Sequence, residues 1–331
     1  MTAERAWTIL DLLNEATGFL QKSGIESPRV NAEVLLGHAL GLRRLELYTR
    51  FDQPVDPARL AAFRELVRRR LARVPLQYIT CVVEFYSRTF AMREGVFIPR
   101  PETEVLVERA LETLRDFSGD REAKDGSPLV SDGQAPARIA EIGVGSGAVL
   151  VTILLELPAA IGVGTDVSAA ALALARENAE RHGVADRARL LEGNLFEPLA
   201  TLEPAGPPET IAAHAGHRED RFDLLVVNPP YLSEAILTTL APEVREHEPR
   251  AALVAGPDGF EALRPLVADA WRFLRPDGVL ALEIGETQGG EALALVAGHG
   301  AYRDATLWKD YAGKDRVIVA RRGGDRGWTP S

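Results

Sequence analysis

A single cysteine, Cys81, occurs in 331 residues. An internal disulfide and a cluster held by several thiolates are both excluded on that count. Surplus positive charge is missing too: 48 Asp and Glu stand against 38 Lys and Arg, a formal net charge of −10. A protein that grips nucleic acid carries basic side chains to offset phosphates, so DNA and RNA are not expected as partners. The one basic cluster, Arg64, Arg68, Arg69, Arg70 and Arg73, falls on a predicted helix and reads as a solvated face. Long apolar runs are also lacking, and the longest, Ala148 to Leu155, is far too short to span a bilayer. Asp11 and Glu15 interrupt the first apolar positions, where a secretory signal would not carry carboxylates. A soluble, cytoplasmic, monomeric protein with no membrane partner is expected.

What remains is an ordinary globular composition, 46% hydrophobic and 26% charged, in a chain long enough for two domains. From about Thr8 to Val74 the pattern is helical throughout. Ile9, Leu12, Leu13, Ala16, Phe19 and Leu20 recur at three- and four-residue spacing and predict one apolar stripe. Ser27-Pro28 and Asp56-Pro57 each read as a capping residue followed by proline at the first helical position, and Gly41 is placed to stop the second helix. From Glu84 to Ile98 aromatic, polar and β-branched residues alternate, predicting a β-hairpin with Arg93-Glu94-Gly95 as its turn. A helix is expected from about Glu102 to Arg115. The segments Ser118–Pro136 and Glu203–Asp220 are rich in glycine, proline and polar residues and read as loops.

After Pro136, strand and helix patterns alternate. The strand candidates are 138–142, 161–165, 188–191, 222–227, 252–254 and 279–284, with helices at 148–157, 169–182 and 259–273. That order implies a mostly parallel sheet with helices on both faces. A last pair, 305–308 and 316–320, predicts an antiparallel edge. The fold class is therefore α/β, with a small helical N-terminal segment and a hairpin ahead of the sheet.

Glu141-Ile142-Gly143-Val144-Gly145-Ser146-Gly147 follows a strand and opens a helix. Glycines allow the backbone to turn sharply and approach a ligand, and the helix N-terminus offers free N–H donors. Asp166 ends the next strand, where a carboxylate can accept both hydroxyls of a ribose. A cofactor with an adenosine moiety fits, and the turn alone also matches the dinucleotide pattern. Glu141 leans toward S-adenosylmethionine, whose amino-acid end carries an ammonium group that a nearby carboxylate favours.

Asn228-Pro229-Pro230-Tyr231 follows the strand 222–227, so it sits at the carboxyl end of the sheet, where open α/β folds bind ligands. Two prolines stiffen the turn and remove competing N–H groups. Asn228 Oδ1 and the Pro229 carbonyl are positioned to accept the protons of an –NH₂ group, and Tyr231 supplies a flat face for a planar amide or base. Catalysis is expected from Asn228, Pro229 and Tyr231. Glutamine and adenine both present such a nitrogen.

The chain resembles the release factor glutamine methyltransferases (the PrmC or HemK family) over nearly its whole length. The matching stretches are Pro75-Leu76-Gln77-Tyr78-Ile79, Glu84-Phe85, Ile98-Pro99-Arg100-Pro101-Glu102-Thr103-Glu104, Asn228-Pro229-Pro230-Tyr231, Glu248-Pro249-Arg250-Ala251-Ala252-Leu253, Asp258-Gly259 and Asp310-Tyr311-Ala312-Gly313-Lys314-Asp315-Arg316. The Asn-Pro-Pro-Tyr turn is shared with adenine methyltransferases of DNA, whereas Ile-Pro-Arg-Pro-Glu-Thr is close to specific for this family. The resemblance implies an N-terminal helical bundle for substrate recognition (1–80), a β-hairpin linker (81–103) and a Rossmann-like methyltransferase domain (104–331), and methylation of the glutamine of a Gly-Gly-Gln segment in class 1 peptide chain release factors. It also implies that Gly143, Val144, Gly145, Ser146 and Gly147 meet the methionine end of S-adenosylmethionine, Asp166 its ribose, and Asn194 and Leu195 its adenine, with Asn228 also touching the cofactor. Asn228 to Tyr231 would hold the glutamine, with Arg100 and Glu102 near the glutamine loop. The alternative is an amino-methyltransferase acting on adenine or guanine in nucleic acid. Asn194 stands where the family often has aspartate, and Cys81 where it usually has glycine; Cys81 is expected to be a small buried hydrophobe. His214 and His217 lie in a loop without further ligands, so no metal site is expected.

Overall fold

The computed structural model describes residues 7–117, 136–202 and 221–323. The loop readings at 118–135 and 203–220, with His214 and His217, lie outside the described residues. Two compact units divide the chain: Met1–Val82, Met92–Glu94 and Leu240–His247 form one, and Val83–Ala91, Gly95–Thr239 and Glu248–Ser331 form the other.

The first unit holds helices α1 (Ile9–Lys22), α2 (Pro28–Leu40), α3 (Arg44–Thr49), α4 (Pro57–Leu71) and α5 (Leu76–Thr80). Its core gathers Ile9, Leu12, Leu13, Ala16 and Leu20 from α1 with Leu35, Leu36, Leu47, Phe63, Val67 and Ile79. Phe19, expected on that stripe, is 50% exposed. At about 100° per residue it lies roughly 80° from the line through Ile9 and Leu20, at the margin of the buried face. Asp56 caps α4, its Oδ1 accepting from the backbone N–H of Ala58 and Arg59 at 3.1 and 3.0 Å. Ser27 makes no such bond, because its φ of 46° puts it in the left-handed region, where a capping side chain does not face the first turn. Gly41 ends α2 with φ of 68°.

The basic cluster does not form a uniform solvated face. Arg70 is buried, giving hydrogen bonds to Asn31 Oδ1 at 2.7 Å and Glu243 Oε1 at 2.9 Å. Arg73 shares that Glu243 oxygen at 3.2 Å. Glu243 lies on α11 (Pro242–His247), so a segment remote in sequence supplies the charge that lets Arg70 be buried. Cys81 is exposed, contrary to expectation. It ends α5 with φ of 59°, a left-handed conformation that glycine adopts without strain, which accounts for the glycine usual there.

The second unit begins at Val83, inside the hairpin of β1 (Val82–Phe85) and β2 (Arg88–Ala91). Its turn is Tyr86-Ser87, with φ of 51° and 57°, and not residues 93–95. Two positive φ values suit the right-handed twist of a two-residue hairpin, but without Asn or Gly there the sequence carries no sign of it. The turn is held from outside: Glu104 Oε1 accepts the Tyr86 N–H at 2.8 Å, and the Arg88 guanidinium lies over the Tyr86 ring.

Next come α6 (Thr103–Phe117), β3 (Arg138–Ile142), α7 (Ala148–Glu156), β4 (Ile161–Asp166), α8 (Ala169–Arg181), β5 (Ala188–Glu192), α9 (Glu197–Ala200), β6 (Phe222–Val227) and α10 (Glu234–Leu237). After α11 follow α12 (Leu263–Asp269), β7 (Leu274–Glu283), α13 (Gly289–Gly298), β8 (Tyr302–Lys309) and β9 (Asp315–Arg322). The sheet has seven strands in the order β5-β4-β3-β6-β7-β9-β8. All pair in parallel except β9, which is antiparallel to both β7 and β8.

Every residue of β6 is buried, as a central strand covered on both faces requires. One face packs Ala140, Ile142, Leu225, Val227, Leu280 and Leu282 against Phe260, Leu263, Leu266, Ala292 and Val296. Burial of each such branched side chain contributes about 1.5–3 kcal/mol. Residues 252–254 are not a strand: Arg250–Ala252 is a 3₁₀ turn behind Pro249, and Val254 makes only an isolated bridge to Leu232. The helix expected from Gly259 starts later, at Leu263, because Gly259 has φ of 79°. No described helix is long and apolar enough to cross a membrane.

The two proline-preceded caps give a direct contrast. Asp56→Ala should destabilise the chain by about 1 kcal/mol, and Ser27→Ala by less than about 0.5 kcal/mol. Urea unfolding followed by circular dichroism measures both, and equal losses would contradict the capping assignment.

Candidate active site

The chain runs outward from β3 to β4 and β5, then returns to place β6 on the other side of β3. That reversal opens a crevice at the carboxyl ends of the two strands. Ile142 pairs with Val227, so the residues that follow, Gly143 and Asn228, leave the sheet side by side.

A cavity of about 480 Å³ lies there, well within the range of small-molecule sites. Its wall includes Glu141, Gly143, Val144, Gly145, Ser146, Asp166, Asn194, Leu195, Asn228, Pro229 and Pro230, together with Thr103. Four other residues singled out from sequence are not on that wall. Gly147 has φ of 80°, and a Cβ there would sit 3.1 Å from Ala175 Cα, so it serves the packing of the turn on α8. Tyr231 lies just beyond the turn, its hydroxyl donating to Glu283 Oε1 at 3.4 Å. Arg100 is engaged by Glu248 at 2.6 Å, whose other oxygen accepts the Ile98 N–H at 3.3 Å. Glu102 is exposed at the start of α6.

The glycine turn is anchored at several points. Gly143 and Val144 donate to the Thr165 carbonyl at 2.8 and 2.9 Å. Asp166 accepts from Gly145 N–H and Ser168 N–H, each at 2.9 Å. Asn178 of α8 donates to the Ser146 carbonyl at 2.9 Å while also holding Ala91. Gly143 has φ of 75° and nothing within 4 Å of where a Cβ would stand, so the backbone offers an open cradle on the cavity wall.

Glu141 is buried behind that cradle, its Oε2 accepting the Leu150 N–H at 2.8 Å. Desolvation holds its pKa well above the ordinary carboxylate value, and the charge of Asp166 adds to the effect. A cationic group in the cavity would offset that cost. An open backbone cradle, a carboxylate at the end of β4 and a buried carboxyl short of positive charge together fit an adenosyl group with an attached amino acid.

On the opposite side, Asn228 Nδ2 donates to Thr103 Oγ1 at 3.3 Å. The carboxamide nitrogen is thereby committed to α6, which leaves Oδ1 as the acceptor. Gln288 braces the turn from behind, donating to the carbonyls of Tyr231 and Gly259 at 3.3 and 3.0 Å. Gly259 is required at that point, since a Cβ would stand 2.4 Å from the Tyr231 carbonyl oxygen.

Thr103, Gln288 and Glu283 were missed in the sequence. Thr103 belongs to the Ile-Pro-Arg-Pro-Glu-Thr stretch, which is a signal in retrospect. Glu283 ends the strand beside Asn228, where a lone carboxylate in an apolar run was readable. Among the described residues no group of three or more His, Cys, Asp or Glu is arranged to hold a metal ion.

Residues 11–80 match the PrmC N-terminal domain. A release factor glutamine methyltransferase of Geobacter sulfurreducens is 41% identical over 319 residues, covering 96% of this chain and 98% of its own. One from Rhodopirellula baltica is 38% identical over 316 residues, covering 96% and 97%. Among solved structures, a ribosomal protein L11 methylase from Lactobacillus delbrueckii subsp. bulgaricus is similar over 73% of this chain and 90% of its own, at 16% identity and a TM-score of 0.42.

The raised pKa of Glu141 has a measurable consequence. An unfolded Glu141 ionises near 4.5, while the folded one keeps its proton to higher pH. The folded state thus binds more protons over that interval, and its stability falls as pH rises. Relative to Glu141→Gln, the wild-type chain should lose stability progressively as pH rises above about 4.5. Urea unfolding of both proteins across that interval checks it; a constant difference would contradict the shift.

Proposed function

This chain belongs to the release factor glutamine methyltransferase family, and we propose on that footing that it methylates the side-chain amide nitrogen of the glutamine in the Gly-Gly-Gln segment of class 1 peptide chain release factors, using S-adenosylmethionine. The observation that carries the reading is the Asn228 carboxamide, oriented by Thr103 beside an adenosyl-sized cradle.

When bound, S-adenosylmethionine supplies an electrophilic methyl carbon on a sulfonium. The backbone from Gly143 to Ser146 and the Glu141 carboxyl hold its methionine end, Asp166 its ribose, and Asn194 and Leu195 its adenine. An amide nitrogen is a poor nucleophile because its lone pair is delocalised into the carbonyl. Asn228 Oδ1 accepts one of its protons, and the Pro229 carbonyl, on a backbone stiffened by two prolines, accepts the other. The two acceptors fix the nitrogen and stabilise the positive charge that develops on it during transfer. Its extra proton is lost to water afterwards, so these residues need no strong base among them.

A single glutamine offers too little surface to be chosen among all those in a cell, so selection requires a wider contact. We assign that role to the helical segment 1–80, with 81–103 as a linker, 104–331 as the catalytic part, and Arg100 and Glu102 near the substrate glutamine. The protein acts as a cytoplasmic monomer. Tritium transfer from labelled cofactor to purified release factor, with DNA and RNA as parallel acceptors, tests the substrate; label on nucleic acid alone would overturn the reading. Sedimentation of the chain tests its oligomeric state.

Two substitutions separate binding from transfer. Asp166→Ala removes charge-assisted hydrogen bonds worth about 1.5–3 kcal/mol each, so affinity for S-adenosylhomocysteine should fall at least about tenfold. Calorimetry reads this directly, and unchanged affinity would remove Asp166 from the cofactor site. Asn228→Ala should lose most turnover on release factor, a far larger effect than any on affinity for S-adenosylhomocysteine. Turnover near the wild-type rate would defeat the mechanism.

A further inference from the structure

Glu283 is the least exposed carboxyl near the site, at 0% of its surface. It ends β7, the strand beside β6, one residue past the pair Val227–Leu282, so it lies next to the Asn228 turn. Its Oε1 receives the Tyr231 hydroxyl at 3.4 Å. Its Oε2 is buried and accepts no hydrogen bond from the described residues. A buried carboxyl oxygen without a partner is costly, so its surroundings are where a donor is to be sought.

The missing donor stands nearby. Thr103 Oγ1 accepts the proton of Asn228 Nδ2 and still has its own proton to give. That hydroxyl is close enough to the Glu283 carboxyl to lower its pKa. We propose that Glu283 is a positioning residue for methyl transfer: its buried carboxylate takes the Thr103 proton as well as the Tyr231 proton, and so fixes the direction of the Asn228–Thr103 hydrogen bond. An ionised carboxylate only accepts. Thr103 must then donate to it and accept from Asn228 Nδ2, which presents Asn228 Oδ1 to the substrate nitrogen. A protonated Glu283 can donate to Thr103 instead, and competes with Asn228 for the same hydroxyl oxygen. This inference rests on the reading of Asn228 Oδ1 as the substrate acceptor.

Burial is the largest influence on Glu283 and pushes its pKa up to about 7, with Glu102 adding to the rise. Arg316 on β9 opposes it, along with the Thr103 and Tyr231 hydroxyls. Arg316 is itself paired with the buried Asp310 at 3.2 Å, which limits the charge it lends. Burial also raises the pKa of Tyr231, with Glu283 contributing, so Tyr231 stays a donor throughout the neutral range.

The test uses the full chain, purified release factor and labelled S-adenosylmethionine. In Glu283→Gln, kcat should fall by about 10- to 100-fold, with KM for release factor and affinity for S-adenosylhomocysteine within a few-fold of wild type. The wild-type kcat should rise as pH passes through about 7, and that rise should vanish in the variant. Thr103→Val should give the same loss, and the double variant should be no worse than either single one, because all three interrupt one relay. Should Glu283→Gln fail to fold, Thr103→Val and its pH profile decide: a retained rise near neutrality overturns the proposal. A wild-type kcat and pH profile in Glu283→Gln overturns it, as does a loss shared equally by cofactor affinity and turnover. Full activity in Asn228→Ala would instead remove the reading beneath it, whereas an inactive Asn228→Ala beside a normal Glu283→Gln removes this inference alone.

Discussion

The parallel register of Ile142 against Val227 brings the first residue beyond each strand to the same end of the sheet. From there the backbone after β3 turns through glycines into α7, and the backbone after β6 turns through prolines toward Tyr231. The two turns have opposite chemistry because they do opposite things. One, with no side chain at Gly143, lets a ligand approach the main chain; the other removes N–H groups and leaves acceptors. Placed side by side by a single strand pairing, they line one cavity, with an open backbone on one side and acceptors on the other.

Each wall is backed by a buried carboxyl. Glu141 stands behind the glycine turn and Glu283 behind the Asn228 turn, and burial raises the pKa of both. They are satisfied differently. Glu141 already caps the Leu150 N–H at the start of α7, and its remaining demand is for positive charge. Glu283 has an oxygen without a partner and two hydroxyl-bearing neighbours, so its demand is for protons. In their ionised forms both cost stability relative to neutral side chains of the same shape, and both lie beside the turns at the cavity instead of elsewhere in the sheet. Strain kept at a site and offset elsewhere is the pattern expected when the groups act on a ligand.

The offset comes from an apolar sheet centre and from polar groups clamped by distant segments. Asn178 joins the glycine turn to β2. Gln288 joins the Tyr231 turn to Gly259. In the helical unit, Glu243 allows Arg70 to be buried. In each case one side chain satisfies backbone or charge from two segments far apart in sequence. Such contacts hold the loops in place without adding apolar surface.

Periodicity and local chemistry determined much of this protein from the sequence alone. The strand at 222–227 was readable because six apolar-rich residues run between turn signals, and the cap at Asp56 because Asp-Pro combines a capping side chain with a preset φ. The glycine and Asn-Pro-Pro-Tyr turns could be placed at the carboxyl end of the sheet, since each follows a strand. What failed depended on partners remote in the chain. The hairpin turned at Tyr86-Ser87 because Glu104 and Arg88 hold it there, although neither residue favours positive φ by itself. Ser27 and Asp56 look alike locally, yet the backbone at Ser27 is left-handed and its side chain does not cap. The roles of Thr103 and Glu283 required the pairing of β6 with β7 and the packing of α6, which bring residues 103, 228 and 283 together. Hydrogen-bond partners at such separations leave no periodic trace. Residue type and spacing therefore identified the groups that would meet a ligand, and only the tertiary structure decided which side chains hold those groups in position.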